Sequence, residues 1–147
     1  MVQMGADEPQ SLPQCVALVD DEEQITQALQ TLLSFQGVST SVHHTAESLL
    51  QSLQVRNGQL CLQLADGTAA ALQAVVLDLN LPGMNGIEVM QEMLAIHPAL
   101  KTAIASGFVD EALTEAAREA GVNRLIFKES AVEDFCAVIR GLIEETS

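Results

Sequence analysis

The sequence predicts an α/β protein with a doubly wound parallel sheet, in which five strands alternate with five helices that cover both faces. Three observations support this fold class. Short apolar runs recur along the chain and suit strands that are buried on both faces. The stretches between them repeat apolar residues at helical spacing, and Gly or Pro stands near most boundaries. Strands that alternate with helices require crossover connections, and therefore a parallel sheet.

The first two strand–helix units occupy the N-terminal third of the chain. QCVALVD at 14–20 is too short for a helix and is apolar throughout its centre, which favours a buried strand. DEEQ then opens an amphipathic helix, and Gly37 ends it. A second, weaker strand is predicted at 37–44. Thr45 can cap the next helix, which we expect to run through Leu53.

Residues 55–73 permit two interpretations. The pairs Asn57-Gly58 and Asp66-Gly67 are turn signals, and leucines alternate with other residues between them. A short hairpin and an extended helix followed by a loop both fit this pattern.

The second half of the chain has the clearest alternation. AVVLD is the most evident buried strand, and the helix after it should end at His97-Pro98, because proline disfavours helical geometry in the residue before it. This strand covers 74–78. The remaining predictions are a strand at 101–106, a helix at about 110–120, a strand at 124–128 and a last helix from Ser130.

The charge of the chain limits its partners. Twenty acidic and six basic residues give a net charge of −14. Such a surface repels nucleic acid and anionic membranes, so we expect neither as a direct partner. No apolar run approaches the roughly 18 residues that a spanning helix requires.

The length of 147 residues suits one domain. We expect residues 1–13 to be a flexible lead-in and 14–147 to form the domain, with an insertion at about 55–73. The three cysteines are odd in number, widely spaced and set among apolar residues, which indicates buried free thiols in a reducing cytoplasm. They are Cys15, Cys61 and Cys136.

Polar side chains follow four of the predicted strands. In a doubly wound sheet, ligands bind outside the carboxyl ends of the strands. Those ends carry Asp20 and Asp21, Asp78, Ser106 and Lys128. Each has a structural explanation alone, as a helix cap, a turn residue or a surface charge. Five such residues at the carboxyl ends of four predicted strands indicate a common site.

This set of side chains suits phosphoryl transfer. Clustered carboxylates repel one another unless a hard divalent cation joins them, and Mg²⁺ prefers oxygen ligands. A carboxylate beside Mg²⁺ can attack phosphorus, while Lys128 and Ser106 can hold the phosphoryl oxygens. We expect the pairs Pro82-Gly83 and Asn85-Gly86 to shape the loop beside Asp78.

The chain resembles the receiver domains of bacterial two-component response regulators, which have a CheY-like, flavodoxin-like fold. The resemblance spans about Gln14 to Ile143. It is carried by VALVDDEEQ at 16–24, VVLDLNLPGMNG at 75–86, AIASGFVDEA at 103–112 and LIFKES at 125–130.

The resemblance assigns a role to each site residue. It implies that Asp78 accepts a phosphoryl group from a phosphohistidine, that Ser106 is the switch hydroxyl and that Lys128 pairs with the phosphate. Asp21, Asp78 and the main-chain carbonyl of Asn80 would bind Mg²⁺, and Asp20 would act through water.

Two positions depart from the family pattern and one neighbour of the site fits it. Leu125 stands where the family usually has an aromatic residue, and Glu129 stands where it usually has proline. Gly107 would leave the phosphorylation site open.

The resemblance also implies partners and a location. The partner would be a sensor histidine kinase or a histidine phosphotransfer protein, and the face at about 110–143 could form a homodimer. The domain would be cytoplasmic, and it would be a phosphoacceptor rather than an enzyme, with only self-catalysed phosphotransfer and autodephosphorylation. The C-terminal part is similar to receivers at the end of hybrid sensor kinases, and a stand-alone receiver fits equally well.

Three other functions involve a similar fold. A haloacid-dehalogenase-type phosphatase would need a second Asp two residues after Asp78, where Asn80 stands. A carrier of flavin mononucleotide would need a phosphate-binding loop after the first strand, where DDEE would repel the phosphate. A pseudo-receiver, which is an interaction module that is not phosphorylated, remains open.

Overall fold

The computed structural model describes residues 12–81, 83 and 85–144. Within them, strands and helices alternate as the sequence predicted, with one additional hairpin. The elements are β1 (Gln14–Val19), α1 (Glu23–Phe35), β2 (Thr40–His43), α2 (Ala46–Ser52), β3 (Leu53–Arg56), β4 (Gln59–Gln63), β5 (Ala69–Asp78), α3 (Gly86–Ile96), β6 (Lys101–Ser106), α4 (Glu111–Ala120), β7 (Arg124–Phe127) and α5 (Val132–Glu144).

Five strands form the predicted parallel sheet, in the order β2-β1-β5-β6-β7. The strand order switches between β1 and β5, because β2 lies on one side of this pair and β6 and β7 lie on the other. Ligands are expected at the carboxyl ends of the strands at such a switch point. The doubly wound, flavodoxin-like fold class is therefore confirmed. No helix among the described residues is long and apolar enough to cross a membrane.

The core has one apolar layer on each face of the sheet, which is what a parallel sheet covered by helices requires. Leu49 of α2 and Met90 and Met93 of α3 pack on one face. Leu33 of α1 and Ile139 of α5 pack on the other. The three cysteines are buried free thiols, as predicted.

The segment whose interpretation was open forms a β-hairpin. Asn57 and Gly58 both have positive φ, 53° and 74°, which is the backbone of the two-residue turns that join antiparallel strands. The strand β4 then pairs antiparallel with the start of β5, so within the described part of the chain the sheet has seven strands rather than the five predicted. Leu53, which was predicted in the preceding helix, begins β3.

The long strand β5 changes its partner along one edge. Ala69–Ala71 pair with β4, and Ala74–Asp78 pair with β6, while β1 lies along the opposite edge. Leu60 lies at the end of β4 that does not pair with β5. Its main-chain N–H donates to Nδ1 of His97 at 3.1 Å. The imidazole at the end of α3 thus satisfies a strand N–H that the sheet leaves unpaired.

Three smaller predictions concern the N-terminal lead-in, the Pro82-Gly83 turn and the start of the last helix. Residues 1–11 of the predicted lead-in lie outside the described residues, and the carbonyl of Pro13 accepts from Ala71 N–H at 2.8 Å. Pro82, half of one predicted turn, also lies outside them. The last helix begins at Val132, two residues later than predicted.

We expect the His97→Ala variant to lose stability in a pH-dependent way. Burial lowers the pKa of His97, so the folded chain favours the neutral ring, whose Nδ1 can accept the Leu60 N–H. This stabilisation is full above the usual histidine value of about 6.5 and is lost as the pH falls through the lowered value.

Urea unfolding at pH 8 should therefore show a loss of about 1–3 kcal/mol for His97→Ala, the cost of an unpaired buried N–H, and a smaller loss at pH 5. His44→Ala, at an exposed histidine, is the control and should unfold like the unmodified chain. An equal loss for His97→Ala at both pH values would contradict this role of the neutral ring.

Candidate functional site

Asp78 is the last residue of the central strand β5, and its side chain is only 2% exposed. The strand is hydrogen-bonded on both edges, so the backbone that carries Asp78 is fixed. One carboxylate oxygen, Oδ1, accepts from Asn80 N–H at 3.0 Å, and the other, Oδ2, accepts from Lys128 Nζ at 3.0 Å. Both oxygens are therefore oriented by named donors.

Three further acids follow β1 at the same edge. Asp20 is buried, and its Oδ1 accepts from Glu22 N–H at 2.9 Å just before α1 begins. Asp21 and Glu22 are exposed. Asp20, Asp21, Glu22 and Asp78 each offer one oxygen, and these oxygens all lie within 4.8 Å of one another.

Lys128 follows β7 and lies among these acids. Its ammonium is 3.2 Å from Asp20 Oδ2 and 3.0 Å from Asp78 Oδ2, and it also pairs with the Glu22 carboxylate. Its side chain is 10% exposed. Lys128 N–H donates to the Ser106 carbonyl at 2.8 Å, which ties the end of β7 to the end of β6.

Burial and mutual charge perturb the pKa values of Asp20 and Lys128. Burial raises the pKa of Asp20, and the charge of Asp78 adds to this, while bonds from Glu22 N–H and Lys128 oppose it. Burial acts to lower the pKa of Lys128, but its bonds to Glu22 and Asp78 and the charge of Asp20 outweigh that effect and leave the pKa above its usual value. Lys128 is therefore a fixed positive charge at neutral pH.

Ser106 ends β6 and is 3% exposed. The register pairs Asp78 with Ala105, the residue before it. The Ser106 hydroxyl donates to the Phe108 carbonyl at 2.8 Å and accepts from Phe108 N–H at 3.2 Å. Ser106 is thus at the predicted edge with its hydroxyl bonded to the following loop, and its contact with a phosphoryl group stays a prediction.

The structure brings the predicted residues together at the carboxyl edge of the sheet. Asp20, Asp21, Asp78 and Lys128 form one cluster, and Ser106 lies at the adjacent strand end. Asn80 contributes its N–H to Asp78, whereas its carbonyl as a metal ligand stays a prediction.

Sequence reasoning missed Glu22. Glu22 stands in the run DDEE after the first strand, of which only the first two acids were predicted as site residues. Glu22 belongs to the cluster because the turn into α1 places it beside Lys128.

The donor set fits a divalent cation. Four carboxylates and one ammonium leave the cluster with a formal charge of −3, and all the metal-binding atoms are oxygens. Oxygen-only sites with several carboxylates suit hard cations such as Mg²⁺. The residues present therefore suit the metal that the sequence predicted.

The loops beside the cluster are shaped by glycine and asparagine. Asn85 caps α3, since its side chain accepts from Glu88 N–H at 3.2 Å. A Cβ on Gly86 would come within 3.3 Å of the Leu77 side chain, so glycine lets the helix pack closely on the strand that carries Asp78. A Cβ on Gly107 would meet no atom within 4 Å other than those of its two chain neighbours.

Comparisons with known proteins identify the family. Residues 16–140 match the sequence model described as "Response regulator receiver domain". The chain belongs to the response regulator receiver domain family. A receiver domain is a signalling domain.

Individual relatives agree with this assignment. The chain is 29% identical over 133 residues to the transcriptional regulatory protein FixJ of Rhizobium meliloti. The alignment covers 90% of this chain and 56% of FixJ. It is 26% identical over 128 residues to the transcriptional regulatory protein CreB of Escherichia coli. This alignment covers 87% of the chain and 50% of CreB. The chain thus spans about half the length of these relatives.

A solved receiver domain supports the fold. The CheY-like response regulator receiver domain protein of Methanospirillum hungatei superposes with a TM-score of 0.72 at 20% identity, over 91% of this chain and 96% of that one. At this identity the likeness concerns the fold alone.

Replacing Lys128 by Met should destabilise this receiver domain. The change leaves two buried carboxylates, Asp20 and Asp78, without their cation, and breaking a buried ion pair costs about 3–5 kcal/mol. Mg²⁺ should restore part of the loss, because it binds the same carboxylates. Urea unfolding at pH 7 with and without Mg²⁺ measures both effects.

The control for Lys128→Met is Arg140→Met. Arg140 forms an exposed pair with Glu144 within α5, and such pairs contribute only about 0.3–0.5 kcal/mol. Equal losses for the two variants would show that Lys128 does not hold the acidic cluster together.

Proposed function

We propose that this receiver domain accepts a phosphoryl group on Asp78 from a phosphohistidine of a sensor histidine kinase or histidine phosphotransfer protein, with Mg²⁺, and thereby switches its interactions with partners. The observation that carries the proposal is the Asp78 carboxylate, which is buried at the end of the central strand with one oxygen on Lys128 and three acids around it. An acid that served only as a cap would need neither the lysine nor the other acids.

The proposed transfer moves the phosphoryl group from a nitrogen of the donor histidine to an oxygen of Asp78. A carboxylate oxygen of Asp78 forms the new bond to phosphorus while the bond from phosphorus to the donor imidazole nitrogen breaks. The imidazole leaves with the electron pair of that bond and is protonated by solvent. The product is an acyl phosphate on Asp78 and a neutral histidine on the donor.

Mg²⁺ would be held by Asp21, Asp78 and the Asn80 carbonyl, with Asp20 acting through water. When bound, it neutralises carboxylate and phosphoryl charge, which lowers the electrostatic barrier to bringing a phosphate among acids. The DDEE turn supports this assignment, because it places the oxygens of Asp20 and Asp21 within 4.8 Å of Asp78.

Lys128 and Ser106 would act on the phosphoryl oxygens. The Lys128 ammonium already contacts Asp78 Oδ2, so it is placed to follow the charge from the carboxylate to the phosphoryl group. Ser106 would donate its hydroxyl hydrogen from the next strand end. Their roles are charge neutralisation and orientation, which dominate phosphoryl transfer.

The wider assignments rest on the same proposal. The receiver domain would extend over 14–147 with its insertion at about 55–73, and it would act in the cytoplasm. Its chemistry would be limited to self-catalysed phosphotransfer and autodephosphorylation. The face at about 110–143 would serve partner proteins, including a second copy of the chain.

Incubation with acetyl phosphate should add one phosphoryl group to the intact protein only when Mg²⁺ is present. Intact-mass spectrometry measures the addition. The Asp78→Asn variant should gain no phosphoryl group, because an amide is not a nucleophile at neutral pH. The control is Asp134→Asn, at an exposed acid on α5, which should behave like the unmodified chain. Absence of any Mg²⁺-dependent addition would favour the pseudo-receiver.

Asp21→Asn should raise the Mg²⁺ concentration needed for half-maximal phosphorylation by at least about tenfold, which corresponds to about 1.4 kcal/mol of metal binding. The maximum extent at saturating Mg²⁺ should change little, since Asp78 and Lys128 remain. Asp134→Asn is again the control. A requirement for Mg²⁺ that Asp21→Asn leaves unchanged would remove Asp21 from the metal site.

A further inference from the structure

The Ser106 hydroxyl forms two hydrogen bonds with one neighbouring residue. It donates to the Phe108 carbonyl at 2.8 Å and accepts from the Phe108 N–H at 3.2 Å. These two bonds close a small loop around Gly107 and fix the main chain of Phe108 on both sides. The position of Phe108 therefore depends on where the Ser106 hydroxyl points.

A serine hydroxyl has one hydrogen to donate. If phosphorylated Asp78 takes that hydrogen, as the proposed function requires, the Phe108 carbonyl loses it. A charged phosphoryl oxygen is the stronger acceptor, since hydrogen bonds to ionised groups are about twice as strong as neutral ones. The hydrogen bond that Ser106 donates to the Phe108 carbonyl and one donated to the phosphoryl group thus exclude each other.

Phe108 is well suited to display that exchange. Its side chain is 70% exposed, so little packing holds it when the Ser106 bond is lost. Gly107, between the two residues, has open space around its Cα and adds freedom to the backbone. Leu125, in contrast, is partly buried against the core layer that contains Ile104.

We propose that Phe108 is the residue through which this receiver domain displays its phosphorylation state, because the Ser106 hydroxyl donates either to the Phe108 carbonyl or to the phosphoryl group on Asp78. The inference rests on the proposed function and adds to it the residue that responds. In the unphosphorylated chain the two Ser106 bonds hold residues 106–108 in a closed turn. Phosphorylation opens that turn and moves the exposed aromatic ring.

The composition of the chain makes the test direct. It contains four Phe and no Tyr or Trp, so incorporation of 4-fluorophenylalanine gives four ¹⁹F resonances. Single Phe→Leu variants at Phe35, Phe108 and Phe127 assign three of them, and the fourth belongs to Phe135. Beryllofluoride with Mg²⁺ is the phosphoryl mimic, and its bound fluorides appear in the same spectrum.

The Phe108 resonance should shift by more than its linewidth when beryllofluoride binds, and the Phe35 resonance, at the end of α1, should stay in place. Ser106→Ala and Ser106→Thr separate the hydroxyl from the rest of the site. In Ser106→Ala, Phe108 should already be displaced without beryllofluoride and should not move further when it binds. Ser106→Thr keeps the hydroxyl and should keep the response.

The outcomes distinguish this inference from the proposed function. Bound beryllofluoride with an unmoved Phe108 resonance would overturn the role of Phe108 and leave phosphorylation of Asp78 standing. An equal shift in Ser106→Ala would overturn the exchange of the hydroxyl. Absence of bound beryllofluoride in the unmodified chain would overturn the proposed function itself, and this inference with it.

Discussion

The contact of one ammonium with several carboxylates is the constraint on which the site depends. Lys128 pairs with Asp20, Glu22 and Asp78, and two of these acids are buried. Acids at such separations would repel one another at neutral pH without a cation. Because the four residues come from the ends of β1, β5 and β7, this contact also fixes how those strand ends meet.

The parallel sheet is what makes the contact attainable. Strands that run in one direction carry all their carboxyl ends to one edge, so residues far apart in sequence meet there. Asp20 and Lys128 are 108 positions apart, yet their charged groups are within 3.2 Å. The two apolar layers stabilise the sheet, and the polar edge is held by the backbone rather than by long flexible loops.

The sequence was sufficient for the parallel fold and for most of the site, because both follow from strong local patterns. Apolar runs mark buried strands, and a polar residue just after such a run marks the ligand edge. The orientation of the Ser106 hydroxyl was not predictable, because it depends on the path of the next two residues. Nor was the hairpin, since alternating leucines fit two structures until β5 proves long enough to pair with β4.

The change of partner along β5 separates the chain into two regions with different tolerance to modification. Ala71, the last residue that pairs with β4, lies seven positions before Asp78, which is roughly 23 Å along a strand. Because β4 runs antiparallel to β5, with Cys61 opposite Ala71 and Gln63 opposite Ala69, the Asp66-Gly67 turn between these strands lies further still from the acidic edge. This exposed turn is therefore a suitable point for inserting an affinity tag or a fluorescent reporter, since it precedes the start of the central strand and Asp78 is the last residue of that strand.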